Sequence, residues 1–196
     1  MPNGLNSGLS ADLILSLKTE ARLLHKEAQQ DNAHALDRIR RQCPSLKLGM
    51  ELQRKHCLAT IGRELGFDNW KSALDCFSGA PNAVYGAFLH PRRCYVHWNI
   101  WFADLTEARR VRIEHGGFLL AYKHQYMIVD RDYIVSLGLD PDCEEWSALG
   151  RDWTHADGAK PRAALMARIV EAHMNWHKGQ LAQHGGNQQA REQASA

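Results

Sequence analysis

The chain has 196 residues, with 44% hydrophobic and 23% charged. That suffices for one ordinary domain, or a small helical unit plus a compact second one, with enough apolar mass for a packed core. The net charge is +2 with histidine neutral, and it is evenly spread: 11 basic against 9 acidic residues through Ala80, and 13 against 13 from Pro81. This balance excludes the strongly basic class that coats nucleic acid without regard to sequence.

The opening MPNGLNSGLSADLILSL has no basic n-region, and Asp12 interrupts its apolar run, so a signal peptide is not expected. No stretch approaches 18 apolar residues, so no membrane span is expected either. Five cysteines, Cys43, Cys57, Cys76, Cys94 and Cys143, are irregularly spaced and contain no CxxC. They read as reduced thiols, and the expected location is cytoplasmic.

In chain order, Leu13, Leu17, Ala21, Leu24, Ala28, Ala35 and Ile39 recur at helical spacing, which predicts helix from about Ala11 to Arg41 with a local break at Asn32. Pro44-Ser45 ends it. A second helix is predicted over Leu46–Leu65, capped by Ser45, with Leu48, Leu52, Ala59 and Leu65 inward and Gly66 as its stop. Asp68 then reads as the N-cap of a short helix, Asn69–Phe77, burying Trp70, Ala73, Leu74 and Phe77. Residues 11–77 thus form a helical unit ending in a helix-turn-helix shape. Its outward residues Lys71, Ser72 and Asp75 make a poor reading surface, and Glu51, Glu64 and Asp68 offset Arg54, Lys55 and Arg63. Nucleic acid is therefore disfavoured as a partner.

Ser78–Asn82 is rich in turn formers and marks a boundary. Beyond it, residues 83–178 read as an α+β domain. Val84–Leu89 suggests a short strand. Tyr95–Phe102 alternates, with Val96, Trp98, Ile100 and Phe102 on one face and Tyr95, His97, Asn99 and Trp101 on the other. A charged helix from Leu105 to Glu114 ends at Gly116-Gly117. Strands Phe118–Tyr122 and Gln125–Val129 follow, joined through Lys123-His124. Asp132 is a candidate cap for a short helix ending at Gly138, and LDPDCEEW starts another turn. Pro161 sits in the first turn of a last helix expected to reach about Lys178. The polar residues 179–196 are expected to lack fixed structure. The fold class is α+β: a helical unit, then a βαββ-containing domain with C-terminal helices.

Two resemblances follow from these residues. Ala59, Gly66, Phe67, Trp70 and Leu74 resemble a helical unit found in many bacterial proteins, in some of which it precedes a glyoxalase (vicinal-oxygen-chelate) domain. His97 in its strand, Asp104-Leu105 opening the helix and Gly117 closing it look like the first βα unit of that superfamily. The resemblance implies a divalent metal on His97, with His124 and Asp130 as the local candidates to complete the set. The chain lacks a second such module, so a complete site would need a homodimer.

The residues themselves favour a binding surface over an enzyme. Tyr95, His97, Asn99 and Trp101 share a strand face, and Tyr122, His124 and Tyr126 share parity if their strand is continuous. His97, Asn99, Trp101, Tyr122, His124 and Tyr126 would then form an aromatic surface with polar tips, suited to a small molecule or a protein partner. Other histidines carry less. His90, Cys94 and His97 lack a fourth zinc ligand. His173 and His177 read as surface or partner-facing residues, since Met174 stands where a zinc peptidase needs its glutamate. Trp146 and Trp153 read as packing anchors.

Overall fold

The computed structural model describes residues 4–44, 46, 51–80 and 83–193, with side chains described within 8–176. Helix α1 (Gly4–Gln29) and helix α2 (Ala33–Gln42) are separated at Asn32, whose side chain accepts from the Ala35 N–H at 3.0 Å. An asparagine in that position satisfies a helix-end donor, so the break is a cap. Leu13, Leu17, Ala21, Leu24 and Ala28 of α1 are buried together, as their spacing requires.

Helix α3 spans Arg54–Glu64, a shorter element than the sequence suggests, because residues 51–53 are not helical. Gln53 and His56 form a reciprocal cap at its start. The predicted Ser45 cap and Leu48 lie outside the described residues. The buried face is Cys57, Thr60, Ile61 and Leu65, and Ala59 is only half-buried. Helix α4 (Trp70–Phe77) is capped by Asn69 rather than Asp68: the Asn69 side chain accepts from the Ser72 N–H at 3.0 Å.

No strand forms over Val84–Leu89. The backbone there is spent on turns: Ala87 N–H donates to Gly66 O at 2.8 Å and Phe88 N–H to Tyr85 O at 3.0 Å. The approach needs glycine on both sides. Gly66 (φ +90°) and Gly86 (φ +55°) each lie where a Cβ would fall within 2.6 Å of the other segment's backbone. Phe67, Phe77 and Phe88 pack ring against ring at 5.4–5.5 Å, joining this loop to the helical unit.

A 3-10 turn at Arg92–Cys94 follows, and its hydrogen bonds continue past it, from Tyr95 N–H to Arg92 O and from His97 N–H to Cys94 O. They consume the first half of the predicted strand, so β1 covers only Asn99–Phe102 and His97 precedes it. Helix α5 (Leu105–His115), capped by Asp104, leads to β2 (Phe118–Tyr122) and β3 (Gln125–Val129). The sheet order is β1-β3-β2 with both pairings antiparallel, so β1 and β2 run parallel on either side of β3. One face packs Leu119, Ile128, Phe102 and Tyr126 on Ala108, Leu105 and Val111 of α5. The other carries Phe118, Leu120, Met127 and Val129 into the main core.

Helix α6 (Arg131–Leu137) is capped by Asp130, whose carboxylate accepts from the Tyr133 N–H at 2.8 Å. Asp132 instead lies in its first turn. Gly138 ends it in the left-handed conformation. Helix α7 (Glu144–Ala148) precedes α8, which runs from Ala159 to Gln193. The helix therefore continues through most of the segment expected to lack structure; its alanines, glutamines and arginine are good helix formers. Trp146 and Trp153 are buried anchors, with Trp146 edge-on to Phe118 at 5.1 Å.

The fold is thus α+β: helices, then the βαββ sheet, then helices. One contiguous buried cluster extends from Leu13 of α1 through Phe88, the sheet and Val170 of α8. Among the described residues, no helix is long and apolar enough to cross a membrane.

Candidate functional site

Strand register decides which predicted residues meet. Ala121 stands opposite Tyr126, and Tyr122 opposite Gln125. Opposed residues in an antiparallel pair share a face. Tyr126 therefore lies with Ala121 on the α5 side, away from Tyr122. The parity predicted for Tyr122, His124 and Tyr126 fails because the strand turns at Lys123 (φ +51°) and His124, so it is not continuous. His124 is exposed in that turn.

The metal set also comes apart. His124 and Asp130 bracket the five residues of β3, a span of about 20 Å at roughly 3.3 Å per residue. Metal ligands must sit about 2 Å from a shared ion. Asp130 is occupied in capping α6, and His97 Nε2 is 2.7 Å from Ser136 Oγ. Among the described residues, no group of three or more His, Cys, Asp or Glu could hold a metal ion.

What assembles instead is a ring cluster around His90, which the sequence reading weighed only as a zinc ligand. His90 stacks on Tyr95 (centroids 4.7 Å, 29°) and lies parallel to Tyr133 (6.1 Å, 4°). Trp101 and Tyr122 stand perpendicular to it at 5.5 and 5.6 Å, and to each other at 5.2 Å. His97 lies 5.9 Å from Tyr133, and Asn99 Nδ2 donates weakly to His97 O at 3.4 Å. Of the six predicted ligand residues, His97, Asn99, Trp101 and Tyr122 gather here; His124 and Tyr126 do not.

The hydrogen bonds at the centre fix a tautomer. Tyr133 Oη is 2.8 Å from Leu89 O and 2.7 Å from His90 Nδ1. A carbonyl only accepts and a hydroxyl has one proton. Both contacts are satisfied when Tyr133 donates to Leu89 and His90 donates from Nδ1–H. The lone pair of His90 then sits on Nε2, with no hydrogen bond to it among the described residues. Burial lowers the His90 pKa and so keeps the ring neutral. Burial likewise pushes the Tyr133 hydroxyl far up and the Cys94 thiol up to about 11, so neither ionises at neutral pH. Cys94 is fully buried, which also removes it from any His90–Cys94–His97 zinc site.

Several large apolar side chains on the segments that carry this cluster are exposed. Trp98 is 75% exposed, Val96 84%, Tyr95 58%, Val135 of α6 58% and Trp101 39%. Lys123 Nζ lies 5.6 Å from the Tyr122 ring centroid. Arg93 anchors the turn beneath: its guanidinium donates to Ser136 O and Leu137 O at the end of α6, at 2.7 and 3.0 Å. A cation at a helix C-terminus meets both the free carbonyls and the dipole. Arg93 Nη2 also lies 3.2 Å from His173 Nδ1. His173 is buried and stacked on Phe88 at 6.3 Å, so it is a core residue and not a surface one. The side chain of His177 lies outside the described residues.

No family model, curated protein or solved structure matches the chain. The cluster can stack flat groups, bury apolar ones and accept one hydrogen bond at His90 Nε2. A signal for it was present in the sequence: the stretch His90–Trp101, HPRRCYVHWNIW, holds two histidines, two tryptophans and a tyrosine in twelve residues. Nothing local placed Tyr133 against it.

Proposed function

We propose that this protein is a non-catalytic binding module whose recognition surface is the aromatic patch around His90. The observation that carries this reading is the exposure of Tyr95, Val96 and Trp98 on the segment that leads into a partly covered Trp101. Single exposed apolar residues are ordinary, but contiguous patches beyond a few hundred Å² mark interaction sites. Tryptophan and tyrosine are the residues most often found at the energetic centres of such sites. The neutral His90 and its bond to Tyr133 give the patch a fixed, polar-tipped centre. The helical hairpin α3–α4 supports nucleic-acid binding less. Arg63 donates to Asp68 O and Gln42 O, and Lys71 to Asp75, so both cations are engaged within the chain.

The test is a fragment screen read by NMR on the indole N–H signals of the six tryptophans. Fragments should shift the Trp98 and Trp101 signals and leave buried Trp146 and Trp153 unmoved. Hits that gather elsewhere, or no hits, would remove the reading.

A further inference from the structure

The two edges of the sheet are treated differently. The outer edge of β2 is closed: Leu119 N–H donates to Arg151 O and Trp153 N–H to Leu119 O, both at 2.9 Å, in a parallel bridge to Asp152. The outer edge of β1 is not. Among the described residues, the backbone groups of Asn99–Phe102 bond only to β3. In an antiparallel pair, alternate residues turn their N–H and C=O outward, so β1 presents a row of unmet donors and acceptors. Edge strands are usually guarded by lysine, proline or a bulge. The residues of β1 are Asn-Ile-Trp-Phe; the strand is short, which itself limits pairing, but it carries no lysine or proline and its register is continuous.

We infer that β1 takes an added strand from another protein: an extended apolar segment that pairs along Asn99–Phe102, with side chains of one parity reaching Trp101 and those of the other reaching Trp98. This rests on the reading of the aromatic patch as a binding surface and names its partner class. The backbone edge specifies an extended chain, because only a strand meets outward N–H and C=O groups at strand spacing. The size of the surface argues for a peptide segment over a second copy. Four residues run about 13 Å, and with the flanking side chains the surface is on the order of 500 Å². Stable pairs bury about 800 Å² on each partner. Charge sets the direction of preference. Asp104, two residues beyond β1, is exposed, caps Glu107 N–H at 2.8 Å and has no ion pair among the described residues. At the other end Asp130 and Asp132 flank Arg131, which pairs with Asp142, so the charges there are mixed. The partner therefore carries lysine or arginine at the end beside Asp104.

The probe is a phage-displayed library of random twelve-residue peptides, panned against the whole chain. Enriched peptides should carry apolar residues at both parities and place a basic residue at one end. In the best of them, N-methylation at every second backbone position should weaken binding at least tenfold, and the intervening positions should tolerate it. Trp98→Ala should weaken binding tenfold or more. Asp104→Asn, which keeps the helix cap, should weaken it several-fold only for peptides with the basic end. No enriched peptide, or N-methyl losses without alternation, overturns the inference. So does a dimer in sedimentation that Trp98→Ala abolishes, since β1 would then serve a second copy. Fragments that shift Trp98 and Trp101 while no peptide is enriched would sink this inference alone and leave the binding surface standing.

Discussion

The two flanks of the sheet solve the problem of polar groups in opposite ways. Beside β2, Asp152 is 6% exposed and every oxygen is used. Oδ2 accepts from Arg109 Nε at 2.8 Å, and Oδ1 accepts from Thr154 N–H at 2.8 Å and from Thr154 Oγ1 at 2.6 Å. Beside β1, the rings of Tyr95, Trp98 and Trp101 remain open to solvent, and the central histidine is neutral. Burial works to raise the Asp152 carboxyl, but hydrogen bonds from Thr154 and Arg109 outweigh it and hold it below the usual range. A sealed edge satisfies its charge internally.

This contrast can be broken from the sealed side first. Asp152→Ala should cost about 2–3 kcal/mol in urea unfolding, because it removes the acceptor of Arg109 Nε and of the Thr154 N–H; the figure is held down because Arg109 is 41% exposed and keeps its bonds to Thr154. On the open side, Tyr133→Phe leaves Leu89 O and His90 Nδ1 without their partner and should cost about 1–2 kcal/mol, while the exposed rings stay in place. Far-UV circular dichroism should not change.

Acidity sharpens the comparison. The folded-state pKa of His90 is depressed, so its contribution to stability is complete above the unfolded value of about 6.5 and is lost as pH falls below it through the folded value. Asp152 is also depressed, and its contribution is lost only at lower pH, below the carboxylate range of about 4. Unfolding free energy measured from pH 7.5 to 5 should fall less steeply in His90→Gln than in the native chain. His56, also lowered by burial, leaves a residual slope. An equal slope in both proteins would show that His90 does not titrate differently on folding. The smallest effect belongs to Trp98→Ala. At 75% exposure its removal should change stability by less than about 0.5 kcal/mol, although it should remove fragment binding.

Much of the sheet was legible in the sequence. Both β2 and β3 fall on their predicted limits, and α5 begins where Asp104-Leu105 is expected to open it, because short apolar runs, a two-residue turn and an aspartate before a helix are local signals. The candidate site was half legible. His97, Asn99 and Trp101 were grouped by the parity expected of one strand, and Tyr122 by a parity with His124 and Tyr126 that the turn at Lys123 breaks. Tyr126 was misplaced because one turn reverses the count of faces. His90 was missed because its partner Tyr133 lies 43 residues away, and its seat depends on Gly66 and Gly86 meeting across the loop.

By itself, the sequence determined the elements: periodicity, caps and glycine stops act within a few residues, so they can be read along the chain. Tertiary structure decided which edge of the sheet was closed and which histidine stood at the centre of the rings. Those outcomes depend on strand register and on contacts between distant segments, and no local spacing encodes either.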